Sequence, residues 1–273
     1  MDDVGRKSGH LMLITPERVF YAGLLGRPRQ RCSGGFNIYV AFEGALWLTT
    51  SDGRQTHGEM IAVLPNVRHT IASDYRSVLS IVIEPESVRP GALEDLASRL
   101  AGPEGVAFAE RIRAAYHELR EHHADNDFSS AEFDSLCLGE VLPQRELDPR
   151  VTRAIVQIGK FSGEPVTAAS CAAEALLSPS RFLHLFKEET GISFRSFRAW
   201  KRARHLLHFA NQDINLAHLA QDIGYPDSTH FSHSIRRFYG LKPRAIFSGS
   251  RDLAIYRSAR AESGDSGWTQ EAN

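Results

Sequence analysis

The sequence predicts an α+β fold, with a small β-barrel in the N-terminal half and an all-α domain in the C-terminal half. Short apolar or β-branched runs separated by turn residues fill positions 11–83, a pattern typical of a small sandwich or barrel. Apolar residues at helical spacing begin after residue 91. A pattern of two short helices joined by a tight turn covers 213–247, and it also occurs 49 residues earlier.

The N-terminal pattern begins with a polar segment, residues 1–10, which we expect to be a flexible arm. Turn residues such as Glu43-Gly44 and Pro65-Asn66 separate the runs that follow. The runs predict these strands: Leu11–Thr15, Arg18–Ala22, Asn37–Phe42, Ala45–Thr50, Met60–Leu64, His69–Ser73 and Val78–Ile83.

Helices are predicted between this barrel and the paired helical units. Leu93, Leu96 and Leu100 share one helical face, and a second helix follows through Phe108 and Leu119. A third helix is expected over Ser129–Leu142 and a fourth over Val151–Phe161. One face of the first three is expected to pack on the barrel.

The stretch 213–247 has the pattern of a helix-turn-helix. Asp213 is the expected N-cap of the first helix, and Gly224 suits its end because glycine adopts a left-handed backbone at little cost. Asp227 or Ser228 caps the second helix. The apolar positions of that helix leave polar and basic side chains facing outward: Ser228, Thr229, Ser232, His233 and Arg236. Such groups at the start of a helix suit base edges and phosphates in the major groove of DNA.

An equivalent unit precedes this one. Its matching pairs are Ser178 with Asp227, Phe182 with Phe231, Phe186 with Ile235, Lys187 with Arg236 and Gly191 with Gly240. Thr167 and the pair Ser178-Pro179 are its expected helix starts, since proline suits the first helical position. A continuous helix is predicted over Ser193–Ala210, about 25 Å long at about 1.5 Å per residue. Such a spacer can set two reading helices about 34 Å apart, one turn of DNA. For one unit alone a plain helical hairpin is the alternative, but two copies in phase favour DNA reading.

The positions that carry a family resemblance run in order through the second unit: Ala220, Gly224, Tyr225, Asp227, His230, Phe231, Ser232, Arg236, Phe238, Gly240 and Pro243. They resemble the signature of the AraC/XylS family of transcription regulators. Two positions depart from that signature: His233 replaces a usual Arg or Lys, and Ile235 a usual Phe. The resemblance implies a sequence-specific regulator that binds double-stranded DNA in the bacterial cytoplasm, associated with the nucleoid when bound. It also implies a homodimer and a small-molecule effector, and it allows RNA polymerase as a partner.

Matching positions of the family assign the contacts of each reading helix. The expected base contacts are Ser180, Leu183, His184, Ser228, Thr229 and His233. The expected phosphate contacts are Arg181, Lys187, Arg236, Arg237 and Lys242. None of the base contacts is an arginine that could pair bidentately with guanine, so we expect modest direct readout and reliance on phosphates and DNA shape.

The order of the N-terminal strands resembles the cupin-like effector-binding domain of many AraC-type regulators. The expected domains are therefore 1–90 for effector binding, 91–146 for a helical linker and dimerisation element, and 149–255 for DNA binding. Residues 256–273 are expected to be a disordered tail. For the helices of 91–146, packing within one chain remains the alternative to dimerisation.

The candidate effector-binding residues are Arg29, Arg31, Tyr39, Trp47 and His69. The run of Arg27, Arg29 and Arg31 is typical of a solvated loop, but arginine also pairs bidentately with carboxylate or phosphate, so the run could capture an acidic effector. A metal-binding cupin needs a cluster of ligands from adjacent strands. His57 and His69 stand apart, so we predict no metal and no other cofactor.

Charge and motifs bound the function. Residues 1–149 carry a net charge of −7 and residues 150–260 a net charge of +9, which fits one nucleic-acid-binding domain joined to another domain. The sequence has no Gly-x-Ser-x-Gly and no phosphate-binding glycine-rich loop, so we expect that the protein is not an enzyme. Two alternatives remain: a cupin enzyme fused to a DNA-binding module, and a helical half that binds protein.

Compartment is indicated by two further features. The three cysteines lack paired spacing, which fits a reducing cytoplasm. The polar N-terminus and the lack of a long apolar run predict neither a secretory signal nor a membrane span.

Overall fold

The computed structural model describes residues 9–121, 128–161, 166–249 and 252–257. Most of the predicted arm (1–10) and most of the predicted tail (256–273) lie outside these ranges. Strands precede helices along the chain, as predicted. The strands are β1 Leu11–Ile14, β2 Arg18–Leu24, β3 Phe36–Val40, β4 Leu46–Thr50, β5 Gln55–Gly58, β6 Met60–Val63, β7 His69–Ser73, β8 Ser77–Ile83 and β9 Ala254–Arg257.

The strands form two sheets that do not close into one barrel. A six-stranded sheet has the order β6-β3-β8-β2-β1-β9, and a three-stranded sheet has the order β5-β4-β7. Every residue of β3 is buried, so this strand lies covered on both faces. All seven predicted strands are present within two residues of their predicted ends.

Strands β5 and β9 were not predicted from the sequence. The polar strand β5 lacks an apolar face, and pairing with β4 brings His57 opposite Trp47. Strand β9 pairs parallel with β1, from Leu11 opposite Ala254 to Ile14 opposite Arg257. The expected disordered tail is therefore wrong at Tyr256 and Arg257, which are in β9. Pairing with a distant strand and a hydrogen bond from Arg257 Nη2 to the His208 carbonyl hold this short segment.

Three helices pack on the larger sheet: α1 Ala92–Leu100, α2 Gly105–Glu121 and α3 Ser130–Leu138. Their apolar faces join the core of β1, β2, β3 and β8. The third helix starts at a capping box formed by Ser129 and Glu132. It ends at Gly139, whose φ of 81° is left-handed, so the predicted helix over Ser129–Leu142 was too long.

The described part of the C-terminal half contains seven α-helices: α4 Pro149–Gly159, α5 Ala168–Glu174, α6 Pro179–Thr190, α7 Phe194–His205, α8 Leu216–Asp222, α9 Ser228–Tyr239 and α10 Pro243–Gly249. The predicted continuous helix over Ser193–Ala210 is α7 followed by a 3-10 turn at Leu206–Phe209. Helix α8 is capped by Asn215, which corrects the expected cap at Asp213.

Each helix pair has its own core. The first core contains Phe182, Phe186, Phe194 and Phe197. The second contains Trp200, together with the apolar face of α9. Helix α7 contributes to both cores, the first through its N-terminal half and the second through its C-terminal half.

In the described ranges, no helix is both long and apolar enough to cross a membrane.

Candidate nucleic-acid interface

Helix α6 presents a polar face because its apolar residues are packed inward. The Ser178 hydroxyl accepts a hydrogen bond from the Arg181 backbone N–H at 3.3 Å, and Pro179 occupies the first turn. Phe182 and Phe186 are fully buried. The predicted contact residues of this helix are all exposed: Ser180, Arg181, Leu183, His184 and Lys187.

Helix α9 repeats this arrangement. The Asp227 carboxylate accepts hydrogen bonds from the backbone N–H groups of Thr229 and His230, each at 2.8 Å. The His230 imidazole lies 2.8 Å from the same carboxylate. These bonds lower the pKa of Asp227, the His230 backbone N–H being the largest cause. The predicted contacts of this unit are all exposed: Ser228, Thr229, His233, Arg236, Arg237 and Lys242.

The turns of the two units differ in length. Thr167 and Asn215 cap the first helices and lie 48 residues apart, whereas Ser178 and Asp227 cap the second helices and lie 49 apart. The first turn is therefore one residue shorter. Neither spacing leads to Asp213, which lies 46 residues after Thr167; the cap of α8 is Asn215, whose Oδ1 accepts hydrogen bonds from the backbone N–H groups of Ala217 and His218 at 2.9 and 3.4 Å.

The left-handed position of each turn also differs. Gly224 holds it in the second unit with φ of 80°, while Leu176 holds it in the first with φ of 54°. Leu176 is 92% exposed. A left-handed conformation costs a non-glycine residue about 1–2 kcal/mol, so this turn carries local strain.

Sequence analysis missed Arg202, which links α7 to the second unit. Its Nη1 donates to the Gly224 carbonyl, and its guanidinium lies 5.4 Å from the centre of the Tyr225 ring. Only the helical position of Arg202, one turn after Arg198, pointed to this face of α7. The contact fixes the turn that precedes α9.

The structure brings three of the five candidate effector-binding residues together. The Tyr39 hydroxyl lies 3.1 Å from His69 Nε2, and Arg31 and His69 exchange backbone hydrogen bonds at 2.8 and 3.0 Å. Burial lowers the pKa of His69 to about 4, which the Val67 carbonyl opposes and the charge of Arg31 reinforces. Burial also raises the pKa of Tyr39 against the opposing charge of Arg31. Both rings are therefore neutral at neutral pH.

Arg31 supplies the charge of this group. Its Nε and Nη2 are buried and have no hydrogen-bond partner within the described chain. Burying donor nitrogens without hydrogen-bond partners is costly. An anion placed here would satisfy both nitrogens.

The other two candidates lie elsewhere. Trp47 is 52% exposed, stacks on His57 and donates from Nε1 to Asp74 at 3.0 Å. Arg29 is exposed, as is Arg27. Among the residues for which side chains are placed, no three His, Cys, Asp or Glu side chains form a group that could hold a metal ion.

Comparison with known proteins concerns mainly the C-terminal half. Residues 171–248 match the protein family described as "Helix-turn-helix domain". The Arabinose operon regulatory protein of Escherichia coli is 31% identical over 108 residues, which are 39% of this chain and 37% of that protein. The HTH-type transcriptional activator RhaS of Escherichia fergusonii is 32% identical over 111 residues, or 40% of this chain and 39% of that protein. The chain thus spans about two fifths of the length of these relatives.

A solved structure extends the similarity to the whole fold. The crystal structure of an apo ToxT variant from Vibrio cholerae has a TM-score of 0.55 at 12% identity, covering 85% of this chain and 97% of that one. At this identity the similarity concerns the fold alone. It comprises an N-terminal β-sheet region followed by a helical domain.

Proposed function

We propose that this chain, which belongs to the AraC/XylS-type helix-turn-helix family, is a sequence-specific DNA-binding transcription regulator that responds to a small-molecule effector. The observation that carries the proposal is the pair of exposed polar faces on α6 and α9. Each follows the same kind of cap, each is backed by the same kind of aromatic core, and α7 joins them. A protein-binding helical module would need no such repeated polar face.

The domain roles are part of the proposal. Residues 1–90 form a cupin-like effector-binding domain, 91–146 a linker and dimerisation element, and 149–255 the DNA-binding domain. Strand β9, at the C-terminal end of the DNA-binding segment, pairs with β1 of the effector-binding domain. A homodimer on double-stranded DNA and contact with RNA polymerase complete the proposed assembly.

Specific binding is tested by selecting bound sequences from random duplexes with the full chain. The affinity for the selected sequence is then measured over a range of salt concentrations. Phosphate contacts release counterions, so the logarithm of the affinity should fall linearly with the logarithm of salt concentration. A helical module that binds protein would select no sequence.

His233 and Arg237 are expected to play different roles on α9. His233→Ala should change the preferred base at one or two positions, because the exposed imidazole is placed to meet base edges. Arg237→Ala should weaken binding to all sequences and reduce the salt slope by about 0.9. Binding titrations against single-base variants of the selected site separate the two outcomes.

The predictions for His233 and Arg237 can be contradicted independently. Equal loss of affinity on every sequence would contradict base reading by His233. An unchanged salt slope would contradict the phosphate contact of Arg237. His218→Ala is the matched control, since this histidine is exposed on α8 outside the reading helix.

The proposed effector is acidic. Arg31 lies between the sheet residues Tyr39 and His69 and the loop at Gly240, where an added Cβ would be 3.4 Å from Arg31 Nε. The two rings around Arg31 are neutral, so its charge is uncompensated within the described chain. A carboxylate or phosphate group is the chemistry that fits two free guanidinium nitrogens.

Calorimetric titration of the full chain with benzoate and with inorganic phosphate tests this proposal. Arg31→Gln should lower the affinity for the bound anion at least about tenfold, the effect of losing charge-assisted hydrogen bonds. Arg29→Gln is the control, since Arg29 is exposed and only two residues away. Equal anion binding in both variants would contradict the role of Arg31.

A further inference from the structure

A buried carboxylate joins the N-terminal domain to α7. Glu84 follows β8 and is 0% exposed. Its oxygens accept hydrogen bonds from Trp200 Nε1 at 3.1 and 3.0 Å and from Lys201 Nζ at 2.7 Å. Arg204 Nε lies 2.9 Å from the same carboxylate. Burial alone would raise the pKa of Glu84, but the charges of Lys201 and Arg204 outweigh it and hold that pKa below its usual value.

Two of the side chains that contact this carboxylate also contact the backbone of the N-terminal half. Arg204 Nη2 donates to the Arg18 carbonyl at 3.0 Å. The Trp200 ring packs directly on Gly34, where an added Cβ would lie 2.5 Å from Trp200 Cγ. We call Glu84, Trp200, Lys201 and Arg204 the clasp. The C-terminal half of α7 is thus held by charge, hydrogen bonds and close packing.

Two further connections hold the second helix-turn-helix unit on the same body. The Cys32 backbone N–H donates to the Arg237 carbonyl, near the end of α9, at 2.7 Å. After α10 the chain returns to the sheet, where the Ala254 N–H donates to the His10 carbonyl at 3.1 Å. The second unit is therefore attached before α8, at α9 and after α10.

The first unit has a different attachment. Its core is formed by α4, α5, α6 and the N-terminal half of α7. In the part of the chain that the structure describes, the hydrogen bonds of α4–α6 stay within the helical half or reach the linker, as between the Asp148 N–H and Glu189 Oε2 at 2.9 Å. Its position relative to the sheets thus depends on α7 and the linker.

We infer that the second helix-turn-helix unit is a fixed part of the N-terminal body, held by the clasp, while the first unit is carried by α7. The reason is that separating Glu84 from its donors Trp200 and Lys201 and from the charge of Arg204 would leave a buried charge uncompensated. If the chain acts as proposed above, the N-terminal domain controls DNA reading through α9 rather than α6. Strand β9 makes this attachment continuous with the sheet.

Paired spin labels on the full chain without DNA test the inference. One pair joins Thr56 to Gln221 in the second unit, and the other joins Thr56 to Glu188 in the first; all three residues are exposed. The native chain should give a single narrow distance peak for the Gln221 pair and a broader distribution for the Glu188 pair. Glu84→Gln should abolish the narrow peak.

A second variant tests the clasp by steric hindrance rather than by loss of charge. Gly34→Ala should also abolish the narrow peak, because its Cβ would displace the Trp200 ring. Gly159→Ala is the matched control, since an added Cβ there meets nothing within 4 Å. The amide of Cys32 should exchange with solvent at least about tenfold faster in both clasp variants, whereas that of Ile38, in the sheet interior, should keep its protection.

Two results would overturn the inference. One is a Gln221 peak that stays narrow in both clasp variants. The other is a native Gln221 distribution as broad as that of Glu188. Since no DNA is present, either result would leave the proposed regulator function standing, and failure of DNA selection would leave the clasp standing.

Discussion

Replacing Asp134 by alanine is expected to lower the free energy of unfolding by about 3–5 kcal/mol, the loss typical of breaking a buried ion pair. Arg18 Nε and Nη2 lie 2.7 and 2.9 Å from the two Asp134 oxygens. The side chains are 3% and 1% exposed. Asp134 also accepts the Leu142 N–H at 3.2 Å. Its loss would leave the Arg18 guanidinium buried without a counter-charge.

Urea unfolding of the full chain measures this effect. Glu59→Ala is the matched control, because the pair of Glu59 and Arg113 is partly exposed, at 38% and 27%. Such a pair contributes about 0–1 kcal/mol. Equal losses in the two variants would show that α3 is not anchored to β2 through Asp134.

Phe186→Ala is expected to lower the free energy of unfolding of the first helix pair by about 3–5 kcal/mol. Phe186 is 0% exposed. Its ring centre lies 5.2 Å from those of Phe194 and Phe197, both in edge-to-face contact. Removing the ring opens a cavity between α6 and α7, so the polar face of α6 should lose its support and its DNA contacts.

Ile235→Ala is the matched variant in the second unit, at the equivalent buried position of α9. Footprinting on the selected site should show protection shortened at one end by Phe186→Ala and at the other end by Ile235→Ala. Circular dichroism must first confirm that each variant is folded at the assay temperature. Protection shortened at the same end in both would contradict the assignment of one helix to each half-site.

Several elements of the fold could be predicted because they depend on neighbours in sequence. The caps at Ser178 and Asp227 bond to N–H groups two or three residues away. The buried faces of α6 and α9 follow from helical spacing alone. The helix-turn-helix predicted from this stretch agrees with the match of residues 171–248 to a helix-turn-helix domain family. The contacts assigned to individual bases and phosphates remain predictions.

The errors concern features that a strict repeat or a local pattern does not contain. The cap of α8 is Asn215 rather than Asp213, because the Asn215 side chain accepts hydrogen bonds from the backbone N–H groups of Ala217 and His218. Gly139 stopped α3 before Leu142 because its left-handed backbone ends the helix. Strand β5 lacks an apolar face, and its pairing with β4 is what makes it a strand.

The sequence by itself determined the two helix-turn-helix units, their caps and their polar faces, because short-range hydrogen bonds and helical periodicity specify them. Only the tertiary structure decided that Glu84 meets Trp200, Lys201 and Arg204, and that β9 completes the N-terminal sheet. These contacts join residues more than a hundred positions apart. Their partners are chosen by burial and charge in the folded chain, which no local pattern records.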